Sequence, residues 1–239
     1  MIWRLIGMLQ GEMSEQDMSA LMVEFAAVSV VLLLCLPLHE YAHGWMAKKL
    51  GDDTAWLHGR LTLNPAKHLD LFGTLMILFI GFGYAKPVPV NPRNFKNGKY
   101  KKGMALTAAA GPLSNLMLAV IFCLASQLSY MAFLSTGSEV LNLIWLLLGI
   151  VSFRNIALAV FNLIPFPPLD GSRILDLVLP YKASRFIAMH ENIFRWAVIL
   201  LIFLGTPIFS VALFIFRGLT SLVGLPFSVQ LPVWNIVSN

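Results

Sequence analysis

Charged side chains are scarce in this chain: they make up only 12% of its 239 residues, while hydrophobic residues make up 58%. A soluble domain carries about twice that share of charge, because its surface must be polar. The composition therefore excludes a soluble globular domain and predicts a protein that crosses the membrane several times. The formal net charge of +5 comes from basic loops, which indicate orientation in the cell membrane and contact with the lipid bilayer rather than with nucleic acid.

Cysteine is nearly absent, and features that would divide the chain are lacking. Cys35 and Cys123 both fall in apolar runs, so no disulfide framework is expected. We find no internal repeat, no low-complexity tract and no insert large enough for a second domain. The first residues lack the small-residue cleavage site of a signal peptide. We therefore predict a single domain over residues 1–239, with an interfacial segment at 1–22, a core at 23–181 and a membrane segment at 194–239.

Long apolar runs predict the membrane-spanning helices. A crossing helix needs about 20 residues, and four runs are long enough: 23–47, 104–134, 141–165 and 194–216. A fifth run, 69–84, is shorter and contains three glycines, so we predict a re-entrant segment packed against protein. The alternating leucines of Leu57–Asn64 and the proline-rich Lys86–Val90 predict strands. The expected fold is an all-α polytopic membrane protein with about four spanning helices, a re-entrant segment and a small membrane-associated β-sheet.

The first long run ends in an HExxH sequence, His39 to His43. On a helix, residues four apart lie on one face, so His39 and His43 can hold one Zn²⁺ while Glu40 reaches the activated water as general base. The alternative is a pair of histidines at the membrane interface with no metal. Ionisable groups at membrane depth are costly and are functional by default, which favours the metal site.

A catalytic zinc site needs a third protein ligand, and Asp170 is the candidate. It follows an apolar helix that prolines bring to an end, and Gly171 permits a sharp turn: the prolines are Pro165, Pro167 and Pro168. Taken alone, an Asp-Gly pair is common in ordinary turns. Taken with HExxH, it predicts a metal site made by His39, His43 and Asp170.

The pairing of HExxH with an N-x-x-P-x-x-P-x-D-G stretch that begins at Asn162 resembles the site-2 proteases, which are intramembrane zinc metalloproteases. The stretches at Gly59–Pro65, Ala85–Pro92 and Gly111–Asn115 look like the compact bacterial branch without a PDZ domain. The resemblance implies one zinc per chain, held by His39, His43 and Asp170, with Glu40 activating water. It also implies a partner, namely a membrane-protein substrate that is cut in or near a transmembrane segment.

Two asparagines lie in helices close to the expected site. Either amide, that of Asn162 or that of Asn115, can donate to the oxyanion of a tetrahedral intermediate. The alternative for both is helix packing through interhelical hydrogen bonds. We assign Asn162 to the catalytic group together with Glu40. Arg154 lies well inside an apolar run, and the sequence assigns it no role.

The basic loops place the active site toward the cytoplasmic side of the cell membrane. A competing function is a non-proteolytic membrane protein that binds or transports a metal through the same three ligands. Glu40 distinguishes the two, because a carboxylate at that position is not needed to bind zinc.

Overall fold

The computed structural model describes residues 14–80, 85–98, 100–204 and 206–222. Ten α-helices are formed in these ranges: α1 Glu15–Val30, α2 Leu36–Lys49, α3 Thr54–Leu57, α4 Leu71–Ile80, α5 Tyr100–Thr136, α6 Glu139–Asn162, α7 Asp170–Asp176, α8 Tyr181–Met189, α9 Glu191–Leu204 and α10 Thr206–Leu222. A π-helical turn, Val31–Cys35, joins α1 to α2 without a break. Short 3₁₀ turns occupy Pro65–Lys67, Pro92–Asn94 and Lys96–Gly98.

Three helical stretches are long and apolar enough to cross a membrane, namely Asp17–Lys49, Tyr100–Thr136 and Glu139–Asn162. The prediction of a fourth span at 194–216 is wrong for the described residues. That region forms α9 and α10, of 14 and 17 residues, which are each shorter than the roughly 20 residues needed. Pro207 lies there and lacks the N–H that a continuous helix requires.

The first helix begins at a capping box. The Ser14 hydroxyl accepts from the Asp17 N–H, and the Asp17 carboxylate accepts from the Ser14 N–H, both at 3.2 Å. Of the predicted interfacial segment 1–22, residues 1–13 lie outside the described part of the chain. From Glu15 onward the segment is the first part of α1.

The spanning helices pack with α5 antiparallel to both of the others. Ala27, Val31 and Cys35 pack against Ile150 and Val151 of α6. On the other side of α6, α10 contributes to a second cluster of buried side chains: Ala119, Phe153, Ile156, Ala212 and Phe216. Since α1–α2 and α6 run in the same direction, the C-terminal ends of α2 and α6 lie at the same end of the bundle.

Arg154 forms a largely buried ion pair between two of these helices. Its Nη2 lies 3.0 Å from Oε1 of Glu24 in α1. Removing one partner of a buried pair costs about 3–5 kcal/mol, because the other charge remains in a low-dielectric setting. The role that the sequence left open is thus a structural link between α1 and α6.

The two ends of the segment predicted as re-entrant lie side by side. Leu69 and Ala85 form an antiparallel bridge, and the Lys86 N–H donates to the His68 carbonyl at 2.7 Å. Between them, α4 packs its apolar side chains on the first span, where Val28, Leu32 and Leu36 are buried. Residues 81–84 lie outside the described part of the chain.

The predicted β-sheet is wrong. Within the described residues there is no strand, and the bridge between Leu69 and Ala85 is isolated. Leu57 instead ends α3, and the chain continues through turns and bends to the 3₁₀ turn at Pro65. Residues 86–90 belong to no strand, and Pro87 and Pro89 favour extended backbone at this segment.

Side chains take the backbone groups that strand pairing would have used. The Arg60 guanidinium donates to the carbonyls of Lys86, at 2.6 Å, and Pro87, at 3.3 Å. The Glu40 carboxylate accepts from the Val88 N–H at 3.1 Å. Pro87 itself has no N–H to offer. The extended segment is therefore held by α2 and the 58–64 loop through side-chain hydrogen bonds, not by a sheet.

Candidate metal centre

The two histidines of HExxH face the same side of α2. Both are buried, and their rings meet edge to face with centroids 4.6 Å apart. The Nε2 atoms of His39 and His43 are 3.0 Å apart. This convergence follows from the spacing of four residues, which puts both side chains one above the other on a helix.

Asp170 reaches the same point from the start of α7. Its Oδ2 lies 3.4 Å from His39 Nε2 and 3.3 Å from His43 Nε2. Gly171 makes the approach possible, because a Cβ there would lie 2.2 Å from the Leu163 carbonyl oxygen. The Asp-Gly pair therefore serves to bring α7 against the end of α6.

The three side chains fit a tetrahedral zinc ion. With metal–ligand bonds of about 2.0–2.1 Å, neighbouring ligand atoms of a tetrahedron are about 3.3 Å apart, and the observed separations are 3.0, 3.4 and 3.3 Å. Asp170 Oδ2 is buried without a hydrogen-bond partner among the described residues. Among the described residues, His39, His43 and Asp170 thus form a group of side chains that can hold a metal ion.

The orientation of His43 also suits a metal. His43 Nδ1 donates to the Thr107 carbonyl at 2.7 Å, which leaves the Nε2 lone pair directed into the site. Burial by itself raises the pKa of Asp170, but the close contacts with the imidazoles of His39 and His43 outweigh burial and lower it to about 2. An ionised carboxylate is the form that binds metal.

Sequence reasoning pointed to Asn115 of α5 but did not find the contacts that this helix makes with the two imidazole rings. A Cβ at Gly111 would lie 2.3 Å from His43 Nε2 and 2.6 Å from His39 Cε1, so α5 packs directly against both rings. Thr107 contributes its backbone carbonyl, which carries no side-chain signal. The detectable sign was Gly111 followed by Pro112 inside an otherwise apolar run.

Glu40 lies beside the ligand group but is not one of the three converging residues. It is partly buried, and its Oε2 accepts from the Val88 N–H. That bond fixes the carboxylate between α2 and the extended segment. Leu61 and Val88 also pack near Gly44, where a Cβ would be 3.3 Å from each. The surrounding loop is thus closely fitted to the HExxH helix.

The two asparagines differ in their partners. Asn162 is partly buried, and its Nδ2 donates to the Leu158 carbonyl of its own helix at 2.9 Å. It is not among the residues that converge with His39 and His43. Asn115 is fully buried, one helical turn beyond Gly111. Neither amide has a hydrogen bond to a ligand side chain in the described structure.

Comparisons with known proteins agree with a metalloprotease site. The chain matches the model of Peptidase family M50 over residues 27–135 and 125–204. It is 43% identical over 190 residues to "Putative zinc metalloprotease YwhC" of Bacillus subtilis, which covers 77% of this chain and 82% of that protein. It is 29% identical over 189 residues to "Putative zinc metalloprotease Rip2" of Mycolicibacterium smegmatis, with 77% and 68% covered. No solved structure matches the chain.

The family match extends over all three candidate spans except residues 17–26 of the first, and it includes HExxH and the segment with Asp170. The relatives' names specify zinc and proteolysis, the chemistry to which the convergence of two imidazoles and one carboxylate also points. The chain belongs to peptidase family M50, the site-2 protease family of zinc metalloproteases.

Proposed function

We propose that this protein is an intramembrane zinc endopeptidase that hydrolyses peptide bonds within or near transmembrane segments of other membrane proteins. The observation that carries the proposal is the meeting of His39 and His43, in one helix long enough to cross a membrane, with Asp170, which follows another. The three residues hold one zinc per chain. The site faces the cytoplasm, since Lys48, Lys49 and the loop 86–102 lie at that end of the bundle.

Each residue of the proposed site has a separate task. Zinc, when bound, supplies Lewis-acid activation of water and of the scissile carbonyl. Glu40 takes a proton from the attacking water and then gives it to the leaving amine. The Val88 N–H orients the Glu40 carboxylate. An amide has two N–H donors, so Asn162 keeps one for the substrate beyond its bond to Leu158.

The experiment compares the wild-type protein with Glu40→Gln and Asp170→Ala. A glutamine keeps an oxygen that accepts from Val88, so the loop is preserved while the base is removed. We expect about one zinc per chain in wild type and Glu40→Gln, and little in Asp170→Ala. Membrane proteomes should contain truncated single-span proteins only with the wild type. Truncated products that persist with zinc-loaded Glu40→Gln would contradict the mechanism, and a zinc-loaded wild type that yields none would contradict the function.

A further inference from the structure

The face of α5 that meets the metal centre carries three buried residues spaced four apart. The Thr107 carbonyl accepts a hydrogen bond from His43, and Gly111 contacts both imidazole rings. Asn115 is the next residue on the same face. A helical side chain leans toward the N-terminus of its helix, so that of Asn115 leans toward the turn of Gly111 and hence toward the rings.

The Asn115 amide is buried and has no hydrogen-bond partner among the described residues. Its exposure is 0%, and neither its Nδ2 nor its Oδ1 makes a hydrogen bond within the described part of the chain. Burying an amide without a partner is unfavourable, and most buried polar groups in proteins are paired. A buried amide without a partner, one helical turn from the residue that contacts both imidazoles, is therefore a candidate donor to a substrate that enters between α2 and α5.

The neighbouring amide nitrogen of Asn155, at the same depth, is already engaged. The antiparallel register that pairs His43 with Thr107 and His39 with Gly111 puts Asn115 level with Cys35. Asn155 of α6 donates its Nδ2 to Cys35 Sγ at 3.3 Å and to the Val151 carbonyl at 2.8 Å. The Asn155 amide thus links α6 to the first span, whereas among the described residues neither N–H of Asn115 is used.

We propose that the Asn115 amide donates an N–H to the carbonyl oxygen of the scissile peptide bond, as a catalytic residue of the hydrolysis proposed above. As the water oxygen bonds to the carbonyl carbon, Glu40 takes its proton and the carbonyl π electrons move onto oxygen. Asn115 stabilises that negative charge by a hydrogen bond that is stronger in the transition state than in the bound substrate. The carbonyl then re-forms, the C–N bond breaks, and Glu40 returns the proton to the amine.

The test compares Asn115→Leu, which keeps the volume and removes the donor, with Ser126→Ala on the same helix. Ser126 is also buried, but it bonds to the Trp145 carbonyl at 3.0 Å, away from the metal centre. Cleavage is measured on a single-span protein that the wild type truncates. Zinc content and melting temperature are recorded for each variant, together with the affinity for a generic phosphinic dipeptide, whose tetrahedral phosphinate imitates the transition state.

For Asn115→Leu we expect kcat to fall about 100- to 1000-fold, with KM nearly unchanged, zinc retained and melting temperature equal or higher. The phosphinic dipeptide should bind more weakly by a factor comparable to the loss in kcat/KM. Ser126→Ala should keep kcat and inhibitor affinity. A zinc-loaded Asn115→Leu with wild-type kcat, or with unchanged inhibitor affinity, would overturn the inference while leaving the protease function intact. If the leucine variant does not fold, kcat and inhibitor affinity are measured for Asn115→Ala instead, with the same expected results.

Discussion

Position 111 requires glycine, because two histidine rings occupy the space that a Cβ would need. The nearest atom, His43 Nε2, would be 2.3 Å from that Cβ. Both rings belong to the metal centre and are buried, so they have little freedom to move aside. The metal centre therefore requires the close approach of α5 as well as the three ligands.

We predict that Gly111→Ala displaces the rings and weakens zinc binding by ~10- to 100-fold. It should also destabilise the protein by about 1–3 kcal/mol through overpacking. The measurements are zinc retention against a chelator and the melting temperature. Gly218→Ala is the matched control: it is also a helical glycine, nothing lies within 4 Å of its Cβ position, and alanine there should be neutral or stabilising by up to ~1 kcal/mol. Equal behaviour of the two variants would contradict the steric argument.

The sequence identified the residues whose chemistry is encoded locally. His39 and His43 follow from a helical spacing, and Asp170 from an acidic residue that ends an apolar run. Gly111 and the free amide of Asn115 could not be ranked from sequence, because their importance depends on the register between α2 and α5. No local pattern records which residues of two antiparallel helices meet.

At the scale of elements, Asp52 fastens the loop that follows the extended segment to the end of α2. Its carboxylate is fully buried. It accepts from the Asn91 N–H at 2.7 Å, from Asn94 Nδ2 at 2.8 Å, and from the N–H and hydroxyl of Thr54. Burial alone raises the pKa of Asp52, but these hydrogen bonds outweigh burial and hold it below its ordinary value.

A lowered pKa means that the carboxylate stabilises the folded state above its unfolded pKa, and that this contribution is lost as pH falls through the folded pKa. We predict that Asp52→Asn costs about 1–3 kcal/mol near neutral pH. The difference in melting temperature from wild type should be constant above about pH 5 and shrink below about pH 4. Asp53→Asn, at the exposed neighbour, is the control. A difference that persists unchanged at pH 3 would contradict the prediction.

The hydrogen bonds made by residues 86–91 show why the β-sheet prediction failed. Alternation of leucine with polar residues in Leu57–Asn64 is typical of a strand, but a two-stranded ribbon is only marginally stable without further support. Here the side chains of Arg60, Glu40 and Asp52 instead bind backbone groups of residues 86–91, the partner strand that the sheet would have needed. Such long-range side-chain contacts follow from tertiary packing and cannot be read from a periodic pattern.

For the molecule as a whole, the direction of the helices decides where the site lies. α2 and α6 run parallel, and α5 runs antiparallel to both. HExxH in α2 and Asp170, which follows α6, therefore lie at the same end of the bundle. The turn at 137–138 lies at the opposite end of the bundle. The hydropathy of the chain predicted these three spans, whereas their relative directions follow from the contacts that bring His39, His43 and Asp170 together.

We predict that single cysteines at Asp53 and Arg93 react with an impermeant maleimide only after cells are opened, whereas one at Glu139 reacts in intact cells. The background should carry alanine at Cys35 and Cys123, which are both buried. All three labelled positions are exposed. Labelling of Asp53 and Arg93 from opposite faces would contradict the arrangement of the 69–85 segment. Labelling of Glu139 only after opening would contradict the orientation.

The π-helical turn Val31–Cys35 makes the metal centre depend on chain length as well as on residue type. A π turn holds one residue more than an α turn, which offsets the phase of α2 relative to α1 by about 100°. Ala27 can therefore face α6 while His39, farther along the same rod, faces Asp170. A chain shortened by one residue here would keep every side chain of the site and an unbroken helix. It would nevertheless point the imidazoles away from the aspartate, so a deletion that removes no functional residue would be as damaging as the loss of a ligand.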